Sequence, residues 1–184
     1  FEFNTITNKP SFDYSRGGNP TRDLLAQALT ELERGKGAVV TSSGMAAINL
    51  VLQLLTPNDT LVAPKDCYGG THRLFTSLAK RGGFKLVWLD FYADDLDKQL
   101  IQTKPQMIWL ETPSNPLLRL TDIAHICQVA KQVKAKVVVD NTFLSPLGQS
   151  PLALGADIVV HSSTKYLNGH SDVVSGAVIS ADEE

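Results

Sequence analysis

The residues best equipped for chemistry lie near the end of the chain. Ile158-Val159-Val160 feeds His161, then Ser162-Ser163-Thr164, then Lys165 and Tyr166-Leu167-Asn168-Gly169-His170. An apolar β-type run ending in hydroxyls delivers Lys165 to a strand end, where loops build sites. Hydroxyls hold phosphate, and an amine beside a phosphate anchor suits an aldehyde cofactor held as a Schiff base. An exposed lysine in a polar loop has the same letters, so other positions must decide.

Ser43-Gly44-Met45 stands where a short apolar run gives way to a helical pattern. Helix N-termini offer free N–H groups and a positive dipole end, and glycine permits close backbone approach. A plain serine cap reads identically. Neither G-x-x-x-x-G-K-[ST] nor G-x-G-x-x-G occurs, so the common nucleotide loops are unsupported. Asp140 ends Val137-Val138-Val139 and leads into Asn141-Thr142-Phe143. A carboxylate buried there needs a positive partner. A protonated pyridine nitrogen supplies one, and the carboxylate keeps it protonated, which makes the ring a better electron sink. The alternative is an aspartate capping the following loop. Tyr68, within Asp66-Cys67-Tyr68-Gly69-Gly70, can stack on a flat cofactor or serve as a core tyrosine. In Glu111-Thr112-Pro113-Ser114-Asn115-Pro116 the prolines rigidify the loop and hold Asn115 in place, although turn chemistry alone also accounts for it.

These positions need elements to carry them. Residues 1–20 lack periodicity, and Gly17-Gly18-Asn19-Pro20 is turn chemistry, so they read as an extended arm. Thr21 is expected to cap a helix running to Arg34, with Leu24, Leu25, Ala28, Leu29 and Leu32 as its inward stripe. A strand at 38–40 precedes a helix from Ser43 through about Leu55, apolar nearly all round and therefore expected to be deeply buried. Strands at 61–63, 84–89, 107–110, 137–139, 158–160 and 173–180 alternate with helices at 70–81 and 94–102 and one capped by Thr121. Short apolar strands alternating with amphipathic helices imply an α/β fold with a mostly parallel sheet covered on both faces. Ligands bind at the carboxyl ends of such strands. Four strands there meet a polar residue: Asp90, Glu111, Asp140 and His161. Asp90 reads as an ordinary polar exit.

Composition narrows the classes. The 184 residues are 43% hydrophobic and 20% charged, with a net charge of −2. These are globular values without a basic nucleic-acid footprint. No apolar run approaches membrane-spanning length, so neither a membrane nor a nucleic-acid partner is expected. Cys67 and Cys127 are too few for a disulfide framework and match no zinc spacing with His72 and His125, so no metal is expected. They fit a reducing compartment, and a cytoplasmic location is the expectation.

Taken together and in order, several blocks resemble the signatures of the pyridoxal phosphate (PLP)-dependent enzymes of Cys/Met metabolism. They are 14–21 (Tyr14-Ser15-Arg16 onward), Ser42-Ser43-Gly44-Met45, Tyr68-Gly69-Gly70-Thr71, the Glu111–Pro116 loop, Val139-Asp140-Asn141-Thr142-Phe143 and 162–172. The resemblance runs from Asp13 onward and implies the large PLP-binding domain of the aspartate-aminotransferase-like fold (fold type I) over 21–184. The arm at 1–20 would make subunit contacts, and the family's smaller C-terminal domain lies outside these residues. Lys165 would be the Schiff-base lysine and proton shuttle, Asp140 the ring-nitrogen partner and Tyr68 the stacking ring. Gly44 and Met45 amides, with the Ser162 and Thr164 hydroxyls, would hold the phosphate, and Ser43 and Thr142 would also be cofactor-binding residues. Tyr14 and Arg16 would reach the phosphate of a neighbouring subunit in a homo-oligomer, a dimer of dimers. Asn115 and Glu111 would lie near ring and substrate, and Arg73 would meet a distal substrate carboxylate. The implied reaction is γ-replacement, in which an O-acylhomoserine and cysteine give cystathionine. Lyases and sulfhydrylases of the family share the cofactor residues and stay open as alternatives, as does a non-catalytic phosphate-ligand-binding module.

Overall fold

The apolar runs assemble into one seven-stranded sheet. The computed structural model describes residues 7 and 10–182. Most of the first half of the expected arm, and residues 183–184, therefore lie outside the described residues. The strands are β1 (Gly37–Thr41), β2 (Thr60–Pro64), β3 (Lys85–Leu89), β4 (Met107–Glu111), β5 (Lys136–Asp140), β6 (Ile158–His161) and β7 (Gly176–Ser180). Their order is β1-β7-β6-β5-β4-β2-β3. β7 runs antiparallel to both β1 and β6, and the other pairs are parallel. The strand expected at 173–180 forms only from Gly176.

The helices are α1 (Pro20–Glu33), α2 (Gly44–Leu52), α3 (Gly69–Lys80), α4 (Leu96–Thr103), α5 (Ile123–Val133) and the single turn α6 (Ser145–Gly148). Strand side chains alternate between faces, and the buried clusters follow that alternation. Val138, Ile158 and Val160 pack with Ala47, Ile48 and Val51 of α2 and Phe75 of α3. Trp109 joins them, edge-on to Phe75 at 5.2 Å. Val137 and Val139 pack with α4 and α5 on the other face, where Val159 meets Leu29 of α1. With both faces covered, the strands are apolar throughout, as their sequences are.

Two helix starts differ from expectation. Asn19, not Thr21, caps α1: its side chain accepts from the Thr21 and Arg22 amides, and Pro20 takes the first helical position. Asp122, not Thr121, caps α5 through the His125 amide. The inward stripe of α1 is also different. Leu29 and Glu33 are buried, whereas Leu24, Leu25 and Leu32 are 67%, 42% and 54% exposed. Charge, not apolarity, faces the sheet at this helix's end. α2 ends at Leu52, and Leu50 and Leu54 are exposed, so it is buried on one side only. Asp90 is the ordinary exit it resembles, accepting the Tyr92 amide.

Candidate active site

A cavity opens at the carboxyl ends of the parallel strands. It has a volume of about 300 Å³ and is lined by Ser43, Gly44, Met45 and Ile48 of the β1–α2 junction, Tyr68, Glu111, Pro113, Asn115, Asp140, Thr142, Phe143, Ser162, Thr164, Lys165 and Val174. Five separate strand ends therefore converge on one space, drawing on residues as far apart as Ser43 and Lys165.

Lys165 sits in the turn after β6, where its amide donates to Ser162 O, and Nζ lies 3.5 Å from Ser162 Oγ. Asp140 closes β5. Its Oδ1 accepts from the Thr142 hydroxyl at 2.6 Å and the Thr142 amide at 3.1 Å. Burial pushes the Asp140 carboxyl above the usual carboxylate range, while the Thr142 hydrogen bonds and then the charges of His161 and Lys165 pull it down. The Thr142 hydroxyl also accepts the Ser162 amide at 2.9 Å, so one side chain ties β5's end to the turn that carries Lys165.

Glu111, 8% exposed, organises the opposite wall. Its Oε2 accepts the Tyr68 amide at 2.8 Å and its Oε1 the Asn115 amide at 2.9 Å. Burial first, then the nearby Asp140 carboxylate, raises its pKa to about 8, despite those two amides. Two carboxyls thus share a cavity and both resist ionisation in it, which is the electrostatic setting that a bound cation relieves. Tyr68 precedes α3 and is 44% exposed toward the opening. The 111–116 loop holds cis peptides at Thr112–Pro113 and Asn115–Pro116.

The start of α2 and the turn after β6 meet by close approach. Ser43 caps α2, accepting the Ala46 amide at 3.1 Å, while Gly44 and Met45 occupy the first helical positions, whose N–H groups have no carbonyl one turn back. A Cβ on Gly44 would lie 2.6 Å from Ser162 Cβ and 2.9 Å from Ser162 Cα, so only glycine lets the helix end meet this turn. Thr164 lines the cavity, but its hydroxyl donates to Ser175 O at 3.0 Å and accepts the Ser175 amide. A phosphate there would have to compete with Ser175.

Three expected site residues lie apart from the cavity. Tyr14 and Arg16 are exposed, with the guanidinium 5.2 Å above the Tyr14 ring. Arg73 is exposed on the first turns of α3, beside Gly69, and does not line the cavity.

Residues 1–184 match the sequence profile of the family described as Cys/Met metabolism PLP-dependent enzyme. The chain belongs to this family. It is 55% identical to cystathionine γ-synthase of Escherichia coli K12, across all of this chain and 48% of that protein. It is 45% identical to cystathionine β-lyase MetC of Staphylococcus haemolyticus, across 97% of this chain and 46% of that one. Among solved structures, cystathionine γ-synthase of Xanthomonas oryzae pv. oryzae, in complex with aminoacrylate and cysteine, superposes with a TM-score of 0.95 at 55% identity, covering 100% of this chain and 48% of that one. The chain thus spans about half the length of the curated relatives it matches.

Membership gives the fold as fold type I and the cofactor as pyridoxal 5′-phosphate. The cavity suits that group. Tyr68 presents an aromatic face to the cavity, a cationic neighbour would favour the ionised form of the buried Asp140 carboxyl, and the Gly44–Ser162 approach leaves a cradle that a Cβ would fill. Among the described residues no cluster of metal-ligating side chains occurs, and no helix is long and apolar enough to cross a membrane.

Sequence reasoning missed two contributors. Gly176 packs against the Ser43 carbonyl so tightly that a Cβ would lie 2.2 Å from it. Glu33, which the sequence did not single out, is buried at the end of α1. Only the β-type run before His161 hinted that something polar had to meet that histidine inside.

Proposed function

We propose that the protein carries out PLP-dependent γ-replacement, joining an O-acylhomoserine, O-succinylhomoserine foremost, to cysteine and giving cystathionine for methionine biosynthesis by transsulfuration. It would then act as a cystathionine γ-synthase. The carrying observation is the single cavity lined at once by an amine, a strand-end carboxyl, an aromatic ring and a helix N-terminus. The choice within the family rests on 55% identity to two synthases against 45% to the β-lyase.

When bound, the cofactor withdraws electrons from the substrate's α-carbon. Lys165 Nζ would hold the cofactor through its aldehyde and would serve as the general base for the α-proton. Asp140, aimed by Thr142, keeps the ring nitrogen's positive charge in place. Tyr68 covers the ring. Gly44 and Met45 amides with Ser43, Ser162 and Thr164 hold the phosphate. Glu111 holds Tyr68 and Asn115 by their amides, and Asn115 would lie near the substrate. Tyr14 and Arg16, exposed and away from their own cavity, would serve the phosphate of a second subunit in a dimer of dimers. Arg73 would meet the distal carboxylate of the substrate. Residues 21–184 would form the large cofactor-binding domain and residues 1–20 the arm, in a cytoplasmic enzyme.

The test is a steady-state assay of the complete gene product with O-succinylhomoserine plus cysteine, set against cystathionine alone. Cystathionine formation is expected to dominate; faster ammonia release from cystathionine would sink the synthase reading in favour of a lyase. A visible absorbance band that borohydride removes and Lys165→Ala abolishes is expected of the holoprotein. A preparation that binds no PLP would leave the non-catalytic phosphate-ligand-binding reading.

A further inference from the structure

Behind the cavity, on the opposite face of the sheet, lies a polar cluster that no catalytic role uses. Glu33, the last residue of α1, is wholly buried. Its Oε1 accepts from Asn141 Nδ2 at 2.8 Å and lies 2.6 Å from His161 Nε2. His161 is itself fully buried. Asn141 directly follows Asp140, and His161 directly precedes Ser162. β5 and β6 are parallel neighbours in which Asp140 is level with Val160. Because strand side chains alternate between faces, Asp140 and Ser162 turn toward the cavity while the residue beside each turns back toward α1. A single carboxylate oxygen therefore grips, from the rear, the two strand ends that present the ring partner and the phosphate turn. From the front, Thr142 ties the same two ends through Asp140 Oδ1 and the Ser162 amide. The rear grip extends to a third strand: Gln149 Nε2 donates to Asn141 Oδ1 at 2.9 Å and to Thr112 O, just beyond β4, at 3.1 Å.

Stability does not explain this arrangement. A carboxylate at a helix's C-terminal end opposes the helix dipole. Buried charge pairs are often replaced by apolar residues without loss of stability, whereas they do fix geometry. α1 carries leucines it could have turned inward, yet it exposes Leu24 and Leu32 and buries Glu33.

We infer that Glu33 is a positioning residue for the cofactor, setting the distance between the ring partner Asp140 and the phosphate turn at Ser162 by clamping Asn141 and His161 together. The inference rests on the PLP reading of the cavity.

A clamp on relative placement weakens only ligands that span both ends. The experiment measures, on apo forms of the complete gene product carrying Glu33→Leu, the Kd for PLP, for pyridoxal (ring end only) and for inorganic phosphate (phosphate end only), alongside thermal unfolding. Expected is a PLP Kd raised about tenfold or more, with pyridoxal and phosphate within about twofold of the unsubstituted protein. PLP affinity unchanged, or all three ligands weakened equally together with a lowered Tm, would overturn the inference and leave Glu33 a packing residue. Should Glu33→Leu fail to fold, the same three ratios on Glu33→Met decide, because the thioether keeps the side chain's length but removes the oxygen that Asn141 and His161 share. If the unsubstituted protein binds no PLP, the cofactor reading fails, and the clamp with it. That outcome is distinct from a protein that binds PLP and is indifferent to position 33.

Discussion

Replacing Gly44 by alanine tests the phosphate cradle most directly. The added Cβ would stand 2.6 Å from Ser162 Cβ and 2.9 Å from both Ser162 Cα and Oγ. Ordinary carbon contacts begin near ~3.5 Å, so α2's first turn and the Ser162 turn must separate by most of an ångström. The Cα is backbone and cannot swing aside. Ser162 is also anchored at its amide by Thr142 and lies one residue from the buried His161. Overpacking of this kind costs about 1–3 kcal/mol. Against it stands the helix preference for alanine over glycine, worth up to about 1 kcal/mol, so global stability falls by roughly 0–3 kcal/mol. Affinity receives no such offset, because the two elements being pushed apart are the ones proposed to hold the phosphate between them. A displacement costing ~1.5–3 kcal/mol predicts a PLP Kd raised about 10- to 150-fold. The assay is titration of apoprotein with PLP, followed by protein fluorescence, with thermal unfolding in parallel. Gly37→Ala is the control, since nothing lies within 4 Å of a Cβ there. A Gly44→Ala protein that binds PLP within about twofold of the parent at unchanged Tm would refute the reasoning, since close approach would then not be what position 44 supplies.

Two further predictions concern groups whose protonation the fold alters. Glu111 has a folded pKa near 8 against an ordinary 4.5, so the folded apoprotein binds a proton that the unfolded chain has lost between those values. Apoprotein stability should therefore fall as pH rises from about 5 to 8, by roughly a few kcal/mol, and Glu111→Gln should flatten that slope in denaturant titrations. An unchanged slope would show that Glu111 ionises freely. The thiols of Cys67 and Cys127 are pushed by burial to about 12 and about 11. Both should resist alkylation at pH 8 in the folded protein and react on unfolding, as mapped by mass spectrometry; rapid labelling of Cys67 in the native state would mean that the β2–α3 loop opens readily.

The strands were legible because a sheet covered on both faces selects unbroken apolar runs, and Val137-Val138-Val139 or Ile158-Val159-Val160 admit little else. Lys165, Asp140, Tyr68 and Gly44 were legible because each combines a reactive or permissive residue with a strand end. Helix starts were less so: Asn19 and Thr21, or Thr121 and Asp122, are capping residues standing close together, and local sequence does not say which backbone turns first. The α1 stripe failed for a deeper reason. Periodicity finds an apolar face but cannot know that the inward face carries Glu33, because its hydrogen-bond partners, Asn141 and His161, lie more than a hundred residues away in sequence. Thr164 shows the same limit: its hydroxyl reads as a phosphate donor, yet Ser175, eleven residues on, already engages it.

The sequence by itself determined the fold class and the family and put forward the candidate reactive groups, since these depend on residue type and on order along the chain. Only the tertiary structure decided how those groups are held. One hydroxyl on Thr142 joins two strand ends, one carboxyl on Glu111 hangs Tyr68 and Asn115 on the same wall, and one buried carboxylate grips the strands from behind. The physical reason is that buried polar groups must find partners wherever the chain brings them, and those partners come from strands adjacent in space rather than in sequence.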